Sequence, residues 1–236
     1  MRAIFYIDGF NFYHARLRKN RQFRWLNVHA LAQALATADD PNATIDLVNF
    51  YTAYVSGKID PAAVGKQQAY LAALKSTGAI AIHSGNFIIS NRWVKLVHPP
   101  MAKPDGYVWP QPYPEFVYVA TPQEKGTDVK LGVHLVRDAF QNAFDVAYVL
   151  TNDTDLVEPI RIATEELGKR VVVVAPVLPQ QANRPVPAPS LTKVASKVAY
   201  IIDADLIAAQ FPDPLLRDKM KPLTKPVDWV YGPLRE

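Results

Sequence analysis

The sequence predicts an α/β protein, a three-layer α/β/α sandwich around a mainly parallel sheet. Three observations carry that expectation. Short apolar runs rich in β-formers recur at Ala3–Ile7, residues 44–55, Val146–Leu150 and Arg170–Ala175. Stretches with helical periodicity lie between them, and the last run contains the successive valines 171–174, the composition of a strand covered on both faces. Alternation of this kind closes as parallel strands joined by crossover helices.

Taken in order, Ala3-Ile4-Phe5-Tyr6-Ile7 reads as a buried first strand ending at Asp8-Gly9. A helix follows from about Asn11, with Phe12, Leu17, Leu31 and Leu35 on its buried side and an interruption between Asn20 and Asn27. Residues 44–55 form the second strand. Asp60-Pro61 caps and opens a helix that runs to about Thr77, where Gly78 stops it, and Ala79 to His83 is the third strand. Residues 86–122 read as an insertion: Phe87 to Val97 is an extra strand or hairpin, and Pro99 to Pro114 is a proline- and aromatic-rich loop. Its Trp93, Tyr107, Trp109 and Tyr113 are expected either to pack on their own domain or to stack on bases.

Phe116 to Ala120 resumes a strand, and Lys125-Gly126-Thr127-Asp128 leads into a helix. Its apolar face is read as Val129, Val133, Val136 and Phe140, with Leu131 and Leu135 beside them. After Val146–Leu150 comes the polar string Thr151-Asn152-Asp153-Thr154-Asp155, then a helix whose start is limited by Pro159 and whose end is Gly168. Arg170 to Ala175 is a strand, Pro176 to Pro189 a second proline-rich loop, Ser190 to Lys197 a short helix, Val198 to Ile202 the last strand and Ala204 to Gln210 a helix. From Phe211 an extended tail is expected, so the domain is residues 1–210 and the tail 211–236.

With 236 residues, 49% of them apolar and 20% charged, the chain has room for one sizeable core. The absence of cysteine excludes disulfides, thiolate zinc sites and cysteine nucleophiles. No apolar run reaches the ~18 residues of a membrane span. The first strand begins without a cleavable leader, so the expected location is cytoplasmic. The net charge of +4 is unevenly spread. No acidic residue occurs between Gly9 and Ala38, where Arg16, Arg18, Lys19, Arg21 and Arg24 cluster, and a second basic group holds Arg217, Lys219, Lys221 and Lys225. Such clusters either contact phosphates or form solvated faces.

In an open parallel sheet, ligands sit beyond the carboxyl ends of the strands. Asp8 ends one strand, Asp153 follows another, Asp128 opens the helix after a third, and Asp155 is a fourth carboxylate at the same edge. Neighbouring carboxylates raise one another's pKa, so a neutralising cation is expected, and hard oxygen donors suit Mg²⁺ or Mn²⁺. Such an ion activates a water and stabilises charge on a phosphoryl oxygen, which is the chemistry of phosphodiester hydrolysis. Each residue also has a local reading. Asp8-Gly9 could make an Asx turn, Asp128 could favour a helix dipole, and Asp155 has capping-box spacing to Glu158. Asn11 is either a cap or an orienting residue, and Glu124 lies close enough to join. Turn chemistry accounts for each singly but not for their shared edge.

Ile7-Asp8-Gly9-Phe10-Asn11, Lys125-Gly126-Thr127-Asp128-Val129-Lys130-Leu131 and Thr151-Asn152-Asp153-Thr154-Asp155-Leu156-Val157-Glu158-Pro159 resemble the three motifs of the NYN domain, the PIN-like nucleases that include the LabA-like group. Gly168-Lys169-Arg170 resembles the family's ending, and the likeness spans about residues 1–210, with little match in the insertion. The resemblance implies a fold similar to PIN and flap-nuclease domains and a metal-dependent ribonuclease. Its acidic ligands would fall at Asp8, Asp128 and Asp153, with Asp155 assisting and Asn11 nearby. Where the family pattern has Ser-Gly, this chain has Thr151-Asn152, and asparagine tolerates the same turn.

The expected protein is therefore an endonuclease that cuts single-stranded RNA with Mg²⁺ or Mn²⁺. Asp155 would hold a second ion or orient the water. Lys125 would contact a phosphate, Thr151 and Asn11 would face the substrate, and Arg16 with its basic neighbours would guide the strand. Two rivals use the same residues: a module of this fold that holds RNA or protein without cutting, and a nucleotide phosphatase. A dehalogenase-type phosphatase would need an acid where Phe10 stands. The insertion is left as a lid, a dimer contact or a substrate rest, and self-association is open.

Overall fold

Among the described residues seven strands build the central sheet: β1 (Arg2–Asp8), β2 (Thr44–Ala53), β3 (Ile80–Lys95), β4 (Phe116–Lys125), β5 (Val146–Leu150), β6 (Arg170–Ala175) and β7 (Lys197–Tyr200). Their spatial order is β4-β3-β2-β1-β5-β6-β7, and every pairing is parallel except β3 with β4. The computed structural model of the protein describes residues 1–57, 60–98, 100–101, 106–109, 111–177 and 186–230. The helices are α1 (Gly9–Phe12), extended by a π turn over Tyr13–Leu17, then α2 (Val28–Asp39), α3 (Pro61–Ser76), α4 (Thr127–Phe140), α5 (Val157–Arg161), α6 (Pro189–Val194) and α7 (Asp203–Ala208). Among the described residues no helix is long and apolar enough to cross a membrane.

The period-two alternation of side chains splits the strands between two cores. Phe5, Ile7, Val48, Phe50, Val172 and Val174 pack with Leu31 of α2, Leu74 of α3 and Leu206 of α7. Ile4, Tyr6, Tyr51, Val149, Val171 and Val173 pack on the opposite face with Leu131 and Leu135 of α4 and Ile160 of α5. The three-layer α/β/α sandwich is thus the observed fold. From β1 the chain moves to β2 and β3 on one side, then returns to β5 on the other. The reversal opens a crevice between the carboxyl ends of β1 and β5, where such sheets place their ligands.

At the amino ends of β6 and β7 the layers are latched by Asp39, the last residue of α2. Its carboxylate accepts from Tyr148 Oη at 2.7 Å, Arg170 Nη2 at 2.8 Å and Lys197 Nζ at 2.6 Å.

Four expectations need correction. The third strand and the extra strand are one element: β3 pairs parallel with β2 over Ile80–Gly85, then antiparallel with β4 over Asn86–Lys95, forming a two-stranded arm. The valine-phenylalanine face of α4 is not buried. Val129, Val133 and Phe140 are exposed, whereas Leu131, Gly132, Leu135 and Ala139 are inside. The helix is apolar on several sides, and close packing selects the face: a Cβ on Gly132 would stand 2.7 Å from Pro159 Cγ, so only glycine lets α4 approach α5 this closely. Residues 211–230 are not an extended tail. They form a hairpin of β8 (Leu215–Arg217) with β9 (Met220–Leu223), and buried Trp229 packs on Trp25 and Tyr70 at 6.3 and 6.2 Å. Finally, the last strand is shorter and earlier than expected, at Lys197–Tyr200. Within the two proline-rich loops, residues 99, 102–105, 110 and 178–185 lie outside the described residues, as does the end of the tail from 231. Tyr107 meets Trp109 edge-on at 5.7 Å, and Tyr113 lies 5.8 Å from His98.

Candidate functional site

Asp8 is the last residue of β1 and the cap of α1, and it is 2% exposed. Its Oδ1 accepts from the Asn11 backbone N–H at 2.9 Å and its Oδ2 from the Thr151 hydroxyl at 3.1 Å. The turn that follows has no room for a side chain. A Cβ on Gly9 would stand 2.6 Å from the Tyr51 carbonyl oxygen and 2.7 Å from Phe50 Cζ. Glycine therefore fixes where α1 starts and where Asp8 points.

The loop after β5 is held to this turn from two sides. Asn11 Oδ1 accepts from the Asn152 N–H at 3.0 Å, and the buried Thr151 Oγ1 accepts from the Asp153 N–H at 3.0 Å. Asp153 in turn caps the next 3₁₀ turn by accepting from the Asp155 N–H at 3.0 Å. Asp128 enters from the first turn of α4, whose Thr127 N–H donates to Glu124 Oε1 at 3.1 Å. Five acidic side chains from β1, β4, α4 and the β5 loop are thereby gathered around one end of the sheet.

Their charges act on one another. Burial pushes Asp8 up to about 7. The charges of Asp128 and Asp153 add to this, while the Asn11 and Thr151 hydrogen bonds offset part of it. Burial also raises Asp128 to about 6, reinforced by Glu124, Asp153 and Asp155. None of the ion pairs among the described residues includes Asp8, Glu124, Asp128, Asp153 or Asp155. In kind this donor set fits a hard divalent cation: it is all oxygen, acidic, mutually repelling and without a cationic partner. In placement it is open, since no three His, Asp or Glu side chains among the described residues converge closely enough to hold a metal.

A groove of about 830 Å³ runs from this acidic end along α4 and α5. Glu124, Lys125, Asp128 and Asp155 line one end and the exposed Val133 and Phe140 the other. Asp155 and Lys125 are exposed, so both face solvent at the rim. The structure thus brings together Asp8, Asn11, Asp128, Thr151, Asp153 and Asp155, with Glu124 and Lys125 beside them.

Arg16 is not among them, and its expected role in guiding a strand is corrected. It is 7% exposed and its Nη2 pairs with Asp203 Oδ1 at 2.5 Å, tying the π turn to the start of α7. Arg24 also serves the fold, donating to the carbonyls of Leu17 and Arg18 and lying over the Tyr13 ring.

Two features had no signal in the sequence. Asn152, the departure from Ser-Gly, pins the second proline-rich loop. Its Nδ2 donates to the Val186 carbonyl at 3.2 Å and its Oδ1 accepts from the Ala188 N–H at 2.8 Å. The lateral row Asp8, Tyr51 and His83 follows from strand register. Tyr51 Oη lies 2.9 Å from His134 Nδ1, and His83 Nε2 lies 2.8 Å from Asn49 Oδ1. Burial holds both imidazoles below their usual pKa.

The family model of the NYN domain matches residues 2–203. Among curated proteins the chain is similar to 6-hydroxy-3-succinoylpyridine 3-monooxygenase of Pseudomonas putida, 28% identical over 250 residues that cover 98% of this chain and 76% of that one. Among solved structures it is similar to a protein of unknown function from Vibrio parahaemolyticus, with a TM-score of 0.48 at 15% identity over 86% of this chain and 93% of that one.

Proposed function

The chain belongs to the NYN domain family, whose fold is of the nuclease type, and we propose that it is a metal-dependent endoribonuclease hydrolysing phosphodiester bonds of single-stranded RNA. One observation carries the reading: Asp8, Asp128 and Asp153 are gathered at the carboxyl end of the sheet with no ion-pair partner among the described residues, and burial and acidic neighbours raise Asp8 and Asp128 toward neutrality.

Asp8, Asp128 and Asp153 are the residues to hold Mg²⁺ or Mn²⁺. When bound, the ion supplies an acidified water and neutralises charge on the phosphoryl group. The chain's own groups do the positioning. Asn11 and Thr151 fix both oxygens of Asp8, so that it need not reorganise on binding. Asp155, exposed at the rim, orients the attacking water or holds a second ion. Lys125, beside Asp128, offers a point charge to a non-bridging phosphate oxygen.

The test compares wild type with Asp8→Asn and Asp153→Asn on end-labelled RNA, with Mn²⁺ and with EDTA. Cleavage by wild type with Mn²⁺ alone is the expected result. Equal cleavage in all arms removes the enzyme claim, and metal-independent binding without cleavage leaves the silent module of the same fold. Hydrolysis of mononucleotides in preference to oligonucleotides would instead identify a phosphatase.

The similarity to the monooxygenase of Pseudomonas putida favours a second reading, a monooxygenase acting on a hydroxypyridine. It requires a reductant and molecular oxygen. Consumption of NADH and oxygen in the presence of 6-hydroxy-3-succinoylpyridine, with no RNA cleavage, would select it.

A further inference from the structure

We propose that the β3–β4 arm is a track for single-stranded nucleic acid that feeds the acidic site. This inference rests on the ribonuclease reading above and gives its substrate a path. The antiparallel register places Phe87 opposite Glu124, Trp93 opposite Tyr118, and Lys95 opposite Phe116. Alternate residues of a strand share a face, so the face that carries Glu124 at the acidic end carries Phe87, Trp93, Tyr118 and Phe116 outward from it.

Those rings are open to a ligand. Trp93 is 67% exposed, Tyr118 59% and Phe116 48%, although Trp93 and Tyr118 lie only 5.3 Å apart. Two rings paired across a hairpin but left in solvent present π-faces rather than a core. The row does not stop at the arm. Nearer the site, Phe87 meets Phe10 at 6.1 Å, and Phe10 lies two residues from Asp8, while Ile89 and Asn91 lie between Phe87 and the Trp93–Tyr118 pair on the same face.

Charge favours a polyanion as the occupant. The thin two-stranded arm carries Arg92, Lys95 and Lys125 against Glu124 and is cationic as a whole, although Lys95 and Glu124 share the aromatic face while Arg92 and Lys125 lie on the other. From Glu124 to Phe116 the strand rises about 27 Å at roughly 3.4 Å per residue, the length of on the order of eight stacked nucleotides. Base–aromatic stacking is tolerant of sequence because every base offers a π-face. The track therefore selects for single strands of sufficient length rather than for a sequence.

The test measures anisotropy of end-labelled oligouridylates of roughly 4 and roughly 16 nucleotides in EDTA, where cleavage is off. Wild type, Trp93→Ala, Tyr118→Ala and Lys95→Ala are compared, and thermal melts confirm that these exposed positions leave the fold intact. Each aromatic variant is expected to weaken binding of the long strand at least about fivefold while leaving the short one unchanged. Lys95→Ala is expected to reduce the slope of log K against log salt by about 0.7. Should the shifts appear with no cleavage by wild type in Mn²⁺, the track stands and the nuclease reading falls. Should wild type cleave while the variants bind the long strand as tightly as it does, the track falls and the nuclease stands. A change of sedimentation from dimer to monomer in the aromatic variants, with RNA affinity unaltered, overturns the assignment in favour of a second copy of this chain.

Discussion

Replacing Asp8 by asparagine should stabilise the metal-free protein. Asp8 is 2% exposed and is raised from 3.8 to about 7, first by burial and then by Asp128 and Asp153. A shift of about three units corresponds to at most about 4 kcal/mol between protonation states. The sign follows from proton uptake. Between about pH 4 and 7 the folded chain binds more protons at this site than the unfolded chain does, so stability falls as pH rises across that window. The introduced amide would keep the acceptor for the Asn11 N–H but disturb the bond from Thr151, at a cost of about 1 kcal/mol. The net gain at about pH 8 is then about 2–3 kcal/mol, or roughly 4–12 °C in Tm for a chain of this size. Urea unfolding in EDTA reads it directly, and the advantage should shrink to nothing toward pH 4. Added Mn²⁺ should stabilise wild type, by about 2.7 kcal/mol at a hundredfold excess over Kd, and leave the variant unmoved. A variant no more stable than wild type at pH 8, or a difference that ignores pH, would refute the reasoning.

Two further outcomes separate scaffold from site. Arg16→Ala should lower stability by about 1–2 kcal/mol through the lost Asp203 pair and packed stem, while leaving the salt dependence of RNA binding as in wild type. Asp39→Asn should destabilise without touching cleavage: burial alone would raise Asp39, but hydrogen bonds from Lys197, Tyr148 and Arg170 hold it at about 2. Its contribution, about 1–2 kcal/mol after screening at the half-exposed cations, is complete above about pH 4. It is lost as pH falls through about 2, which acid titration of the two proteins would show as a stability gap that closes.

What could be read from the sequence was local in origin. Asp8-Gly9, Asp128 and Asp153 sit where a strand gives way to a turn or helix, and such junctions are set by a few adjacent residues. Misreadings arose where the deciding partner is remote. Arg16 looks like a solvated cation until Asp203, 187 positions away, is placed against it. The apolar face of α4 depends on Gly132 meeting Pro159 in another helix. Trp229 belongs to the core only because Trp25 and Tyr70 wait for it. His83 and His134 carry no motif at all: strand register sets His83 beside Tyr51, and the packing of α4 on the sheet brings His134 to the same ring.

The two ends of the sheet make the case for chemistry by contrast. At the amino end Asp39 is enclosed by a phenol, a guanidinium and an ammonium. On the inner side of α4, buried Asp138 accepts from Tyr6 Oη at 2.8 Å and from Arg137 Nε at 2.8 Å. This chain therefore neutralises buried carboxylates where the fold alone is at stake, as low dielectric requires. At the carboxyl end Asp8 and Asp128 lie beside further acids with no such partner among the described residues, and burial and those acids raise both above the usual carboxylate range. Repulsion of this kind persists where a ligand relieves it. A proton relieves Asp8 below about pH 7, and on the proposed reading a divalent ion entering from solvent would do so above it, at a carboxylate that Asn11 and Thr151 already hold in place.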